Sequence, residues 1–208
     1  MSSKVLKEQA YHQIRKQILN LEIQPNQRIV EQDLAEQLNI SRTPIREAIN
    51  QLVSEGLVRM VPRKGCYCIF INQTQKNQII DIRLSLEVLA IKTCFQIGLT
   101  REQLNALIEL TERYQECVIT KNYTNIHELD GEFHHTIALY TQNQFLVKYL
   151  NDLEGFLTII RNTSCGVGSI EKALSHHKAI VNAFVIHDEA QAIAAMTSNI
   201  NNMRDRPL

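Results

Sequence analysis

Glu31-Gln32-Asp33-Leu34-Ala35-Glu36-Gln37-Leu38-Asn39-Ile40-Ser41-Arg42-Thr43-Pro44-Ile45-Arg46-Glu47-Ala48 carries two short apolar faces separated by a break. Leu34, Ala35 and Leu38 share one face of a helix spanning Glu31 to Leu38. Glu31 and Asp33 sit in its first turn, where the positive end of the helix dipole favours acids. Asn39-Ile40-Ser41 interrupts the pattern. A second helix is expected from about Thr43 to Glu55, burying Ile45, Ala48, Ile49 and Leu52. Pro44 is tolerated in its first turn, where amides have no intrahelical partner, and Ser41 or Thr43 can cap it. Two helices joined by so tight a turn form a helix-turn-helix.

The flanks extend this unit. Val5, Leu6, Ala10, Ile14, Ile18 and Leu19 follow helical spacing over Lys4 to Asn20, and Pro25 closes the turn-like stretch after it. Downstream, Gly56 ends the third helix. Two apolar runs, Leu57–Val61 and Cys66–Ile71, flank the basic turn Pro62-Arg63-Lys64-Gly65 and read as a β-hairpin. The order predicts a winged helix-turn-helix over residues 1–72. Beyond it the strand signals vanish. Residues 73–208 are helical in pattern, with breaks at Gly98-Leu99-Thr100, 122–125, Thr141-Gln142-Asn143, 165–168 and His187-Asp188. About six helices with short connections predict an all-α antiparallel bundle, so the fold class is mostly α in two domains.

The chain has 208 residues, 22 Lys+Arg and 22 Asp+Glu, and a formal net charge of zero. A hydrophobic content of 44% supports a buried core and argues against a disordered chain. No apolar run reaches the ~20 residues of a membrane span, and the N-terminus lacks an apolar signal core, so a cytoplasmic protein is expected. The zero is a cancellation: residues 1–66 carry ten bases against seven acids, and residues 67–208 carry twelve against fifteen. Such asymmetry hints at a nucleic-acid or membrane contact confined to one part, with chance as the alternative. The five cysteines, Cys66, Cys68, Cys94, Cys117 and Cys165, are an odd number and are expected to be reduced thiols. Cys66 and Cys68 read as same-facing strand residues, with a redox sensor as the alternative.

Arg42, Thr43 and Arg46 fall at the exposed N-terminal end of the second helix of the motif, the end that meets base edges in the major groove. Arg42 and Arg46 are four apart and share a face, and guanidinium forks bond guanine O6 and N7 in a bidentate way. Arg63, Lys64 and Gly65 at the hairpin tip suit a wing on the DNA backbone. Singly, each arginine reads as an ordinary solvated residue; together with the hairpin they point to double-stranded DNA. In the bundle, Asp130 and His134 are i and i+4 on one helix face, and His177 belongs to an inward face with Ile180 and Val181. A carboxylate and imidazoles converging from separate helices suit Zn²⁺, Ni²⁺ or Mn²⁺; structural histidines are the alternative.

The motif Ser41-Arg42-Thr43-Pro44-Ile45-Arg46-Glu47-Ala48, with Glu31–Leu38, Glu55-Gly56-Leu57-Val58 and Arg63-Lys64-Gly65, resembles the GntR family of bacterial transcription regulators. The resemblance implies a homodimer whose winged domains read a palindromic operator, with Gln32, Ser41, Arg42, Thr43, Arg46 and the wing residues on DNA. Residues from Gln78 to about Met203 resemble the FadR-type (FCD) ligand-binding domain, through Ile82–Glu87, Leu129–His134, His177–Ile180 and Ala194–Ile200. That resemblance implies one Asp and three His holding a divalent metal near a small organic acid effector. Asp130, His134 and His177 match; at the fourth position stands Asn199, a neutral oxygen donor weaker than imidazole for such metals. Weak binding, His127 or water as a substitute, or no metal at all follow from that departure. Arg83 resembles the arginine that meets the effector carboxylate; the alternative is a pair with Glu87 four residues on.

A ligand-responsive DNA-binding regulator, a repressor by family habit, accounts for both halves. A DNA-binding dimer with a vestigial, metal-free bundle is the second reading. A small metal-dependent hydrolase is the third; it lacks an HExxH-type motif and leaves the arginine-bearing helix unexplained.

Overall fold

Ala10, Ile14 and Ile18 recur every four residues along α1 (Ser3–Leu19) and are fully buried. They pack on α3 (Arg42–Ser54), whose Ile45, Ala48, Ile49 and Leu52 face inward. The shorter α2 (Glu31–Leu38) lies against α3 and buries Leu34. Asn39 closes α2 in the left-handed region at φ 52°, a conformation that Asn tolerates better than most residues. The Asn39 and Ile40 amides then bond back to Glu36 O (3.3 Å) and Ala35 O (3.1 Å), so the turn to α3 takes only residues 39–41. The computed structural model describes residues 3–122, 125–164 and 167–205. By its internal contacts the chain falls into two units, 1–72 with 158–162, and 73–157 with 163–208.

Several details of the first unit depart from the sequence reading. Helix α3 begins at Arg42, so Thr43 lies inside the first turn; Ser41 occupies the N-cap, but its side chain makes no capping bond. The hairpin is β2 (Val58–Val61) and β3 (Gly65–Cys68), with Val61 paired to Gly65, so the turn is the three residues 62–64. Strand β3 stops at Cys68 instead of Ile71. A third strand, β1 (Arg28–Ile29), pairs antiparallel with β3 and gives the order β1-β3-β2. Two residues are too few for alternation to reveal a strand.

Pleating sorts the sheet into two faces. Val58 and Cys68, each 2% exposed, lie with Ile29 and Cys66 on the inner face, as expected of same-facing cysteines. Burial pushes the Cys68 thiol up to about 11 and also raises that of Cys66, which disfavours the thiolate a redox sensor needs. Arg28, Tyr67 and Arg59 stand opposite one another on the outer face.

The second unit contains α4 (Gln73–Ile97), α5 (Arg101–Ile119), α6 (Ile126–Tyr140), α7 (Gln144–Ser164) apart from its residues 158–162, α8 (Val167–Val185) and α9 (Glu189–Arg204). Helix α9 packs on α4 and α8, while α5 packs on α6 and α8. Thr100 and Gln103 form a reciprocal capping box that starts α5. Helix α4 has no continuous apolar stripe, because Lys76, Arg83 and Glu87 are buried along with Ile80, Ala90, Ile91 and Cys94. Among the described residues, Cys66, Cys68, Cys94 and Cys117 are free thiols. Residues 123–124 and 165–166, which include parts of two expected breaks and Cys165, lie outside the described residues. None of the described helices is long and apolar enough to cross a membrane.

Candidate functional site

The first turn of α3 points its apolar residues, Pro44 and Ile45, into the core and leaves Ser41, Arg42, Thr43 and Arg46 exposed. Arg46 grips Glu31 of α2 in a fork, with Nε to Oε1 at 3.0 Å and Nη2 to Oε2 at 2.8 Å. Arg42 Nη2 lies 3.7 Å from the same carboxylate. Hydrogen bonding from Arg46 holds the Glu31 carboxyl below its usual value, so the clamp stays charged. The Nε edge of Arg46 is thereby occupied, while Nη1 makes no bond among the described residues. Gln32, also exposed, donates to Glu36 Oε1 at 3.1 Å. Glu31 was not singled out as a site residue from sequence. It is fifteen positions from Arg46 on another helix, and no periodicity links the two.

At the wing, Arg63 and Lys64 are exposed at the tip. Gly65 adopts φ +101°, a region that side chains rarely occupy, and the Arg28 guanidinium lies over it; a Cβ there would sit 3.5 Å from Arg28 Nε. The tip therefore combines a glycine position with the cations Arg63 and Lys64, and the Arg28 side chain reaches towards it from β1.

In the bundle, Asp130 and His134 of α6 and His177 of α8 bring one ligand atom each to within 4.8 Å of one another. Asp130 Oδ1 is 3.4 Å from His177 Nε2 and 4.0 Å from His134 Nε2. Among the described residues, neither imidazole Nε2 has a hydrogen-bond partner, although both histidines are buried; the 3.4 Å approach lacks hydrogen-bond alignment. A buried nitrogen left unpaired costs about 1–3 kcal/mol. A divalent cation would satisfy both nitrogens at once, so these residues fit a metal. Packing pre-sets the donors. Phe133 stacks on His177 with centroids 4.1 Å apart, and the Tyr114 ring meets it edge-on at 5.2 Å. His134 Nδ1 contacts Glu87 Oε2. That leaves Nε2 to face Asp130, the outer-shell arrangement that orients metal-bound histidines. Asn199 is buried on α9 at 7% exposure.

Arg83 is 2% exposed and donates from Nε to Glu87 Oε1 at 2.6 Å, the intrahelical pair that four-residue spacing allows. Burial pushes the Glu87 carboxyl up, but Arg83 and His134 outweigh it and hold the group well below the usual carboxylate range. A cavity of about 30 Å³ lies between Arg83, Glu87, His134, Asn151 and Glu154. At the ~10–15 Å³ that one water needs, it holds a water or two.

Burial also lowers the affinity of His177 for a proton. The unfolded chain then binds a proton below pH 6.5 that the native bundle refuses, so stability is full above that value and falls as pH drops beneath it. Glu87 has the same sign at lower pH, because its depressed affinity is a stabilisation lost on acidification. Metal-free protein is thus expected to melt at progressively lower temperature as pH is stepped down through 6.5. A melting temperature constant across that range would contradict a buried neutral His177.

Comparison with known proteins bears on both constellations. Residues 6–68 match the family model "Bacterial regulatory proteins, gntR family", and residues 78–202 match the model of the FCD domain. The chain is 30% identical to the HTH-type transcriptional regulator YdhC of Bacillus subtilis (strain 168), over 83% of this chain and 77% of that one. It is 24% identical to the HTH-type transcriptional repressor RspR of Escherichia coli (strain K12), over 95% and 87%. Among solved structures, E. coli McbR/YncC shares the fold with a TM-score of 0.78, 21% identity, and 97% and 94% coverage.

Proposed function

Because the chain belongs to the gntR family of bacterial regulatory proteins, as a transcriptional regulator with an FCD effector-binding domain, we propose that it is a homodimeric repressor. It reads a palindromic operator and is released by a small organic acid. Its matched families and relatives are regulators, not enzymes, which sets the hydrolase reading aside. The observation that carries operator reading is the Glu31 clamp, which presents Arg42 and Arg46 together at the solvent end of α3. Gln32, Ser41 and Thr43 beside it, with Arg63, Lys64 and Gly65 on the wing, complete the DNA surface, through phosphates or base edges. The repressor role follows the printed name of RspR, a relative of nearly full length.

In the bundle, Asp130, His134 and His177 would hold a divalent cation such as Zn²⁺, Ni²⁺ or Mn²⁺, with Asn199 as a weak fourth donor. The cation would supply an electrophilic point for an effector carboxylate. Arg83 adds positive charge beside that place, although Glu87 already balances most of it. An effector changes operator affinity only by binding two states of the protein unequally. The 30 Å³ cavity therefore has to widen in the state that the organic acid selects. A second reading keeps the DNA-binding dimer and leaves the bundle without metal or effector. The imidazole-to-amide change at Asn199 favours it.

Selection from a pool of random-sequence duplexes tests the operator reading. An enriched inverted repeat is expected, and recovery of no enriched sequence would reject it. Thermal shifts with a panel of organic acids separate the two bundle readings, since stabilisation grows with ligand concentration relative to Kd.

A further inference from the structure

We infer that the outer face of the wing sheet is a second phosphate-binding surface, with Arg28 and Arg59 gripping the DNA backbone beyond the bases that α3 reads. This rests on the operator reading above. Arg28 of β1 and Arg59 of β2 are both opposite Tyr67 of β3, so the three side chains line up across one exposed face. The Arg59 guanidinium lies 5.7 Å from the centre of the Tyr67 ring, and the Tyr67 hydroxyl donates to Lys64 O at 3.4 Å. Tyr67 thus braces one arginine and the tip at once. The Arg28 guanidinium crosses to Gly65, where the absent side chain leaves it room.

Charge singles this face out. Arg42, Arg46 and Arg15 all have carboxylate partners. Among the described residues, Arg28, Arg59, Arg63 and Lys64 form no ion pair. No acid occurs in residues 23–30 or 56–72, which supply the whole face and its tip. Glu22 and Asp33 line a cleft beside Arg28 without coming into ion-pairing range of it. Four uncompensated cations on one three-stranded sheet and its tip attract a polyanion, and two of them, Arg28 and Arg59, are outside the tip on which winged-domain contact was expected. Strands ~4.8 Å apart put Arg28 and Arg59, which flank β3, on backbones about 10 Å apart, so they suit separate phosphates. Phosphate contacts of this kind add affinity and register without base preference.

The test is an Arg28→Gln/Arg59→Gln double variant of the full chain, titrated against a mixed-sequence duplex and the selected operator at several salt concentrations. Each phosphate neutralised contributes about −0.9 to the slope of log affinity against log salt. The variant is expected to lose about two units of slope per protomer on both duplexes. Its advantage for operator over mixed sequence stays as in the wild type, and its melting temperature is unchanged. Equal slopes for variant and wild type would overturn the inference. A lost operator preference would overturn it as well, by placing these arginines on bases. Arg59→Gln alone, which disturbs only the contact with Tyr67, is expected to give half the change and guards against distortion at Gly65. If the wild type binds neither duplex, the operator reading itself has failed, a result distinct from equal slopes.

Discussion

Arg46→Ala is expected to abolish operator preference, cutting affinity for the selected site towards that for mixed sequence. A bidentate arginine–guanine contact is worth about 1–3 kcal/mol of discrimination, or roughly 5- to 150-fold for each recognition helix. In a dimer the loss counts twice. The geometry explains why truncation removes more than one charge. Arg46 is held by Glu31 through Nε and Nη2, which fixes the direction of the rest of the fork before DNA arrives. Removing Arg46 also leaves Glu31 with Arg42 alone, at 3.7 Å, and so returns most of a negative charge to the DNA-facing surface. Gel-shift titration on both duplexes measures the ratio. An unchanged ratio would remove α3 as the recognition helix.

The second large effect is expected in the bundle. Zinc or nickel added to metal-free protein should raise the melting temperature, with about 2.7 kcal/mol of stabilisation when the ion is in hundredfold excess over its Kd. The same addition to His134→Ala should produce little shift, because the remaining donors are Asp130, His177 and the neutral Asn199. Metal analysis after dialysis provides the independent measure. Equal metal content in wild type and His134→Ala would reject the site and leave the metal-free bundle as the standing reading. Acid should weaken binding, since a cation and a proton compete for the same imidazole nitrogens.

Much of the fold was legible because short-range physics carries it. Apolar spacing in α1 and α3 and the break at 39–41 are all local, and each appears where the sequence places it. The errors were local too, at boundaries: Thr43 instead of Arg42 as the start of α3, Ile71 instead of Cys68 as strand end. Strand β1 was missed because its two residues are a strand only through β3, about forty positions away. Helix α4 shows the opposite difficulty, since three buried charged residues erase the apolar stripe by which a packed helix is recognised.

The candidate sites divide along the same line. Arg42 and Arg46, or Asp130 and His134, are visible as pairs because helical geometry brings residues four apart together. Residue types and spacing also point to the helix-turn-helix and the basic hairpin, their motifs carry the resemblance to the family, and the charge count by segment shows that the net charge of zero is a cancellation. Packing between distant segments supplies the rest. It brings Glu31 onto Arg46, Glu87 onto His134, His177 beside Asp130, and Arg28 opposite Tyr67. The reason is that an ion pair or a ligand set depends on distances of a few ångströms. One-dimensional periodicity encodes such distances within a helix or strand. Between elements they are set only when the cores close.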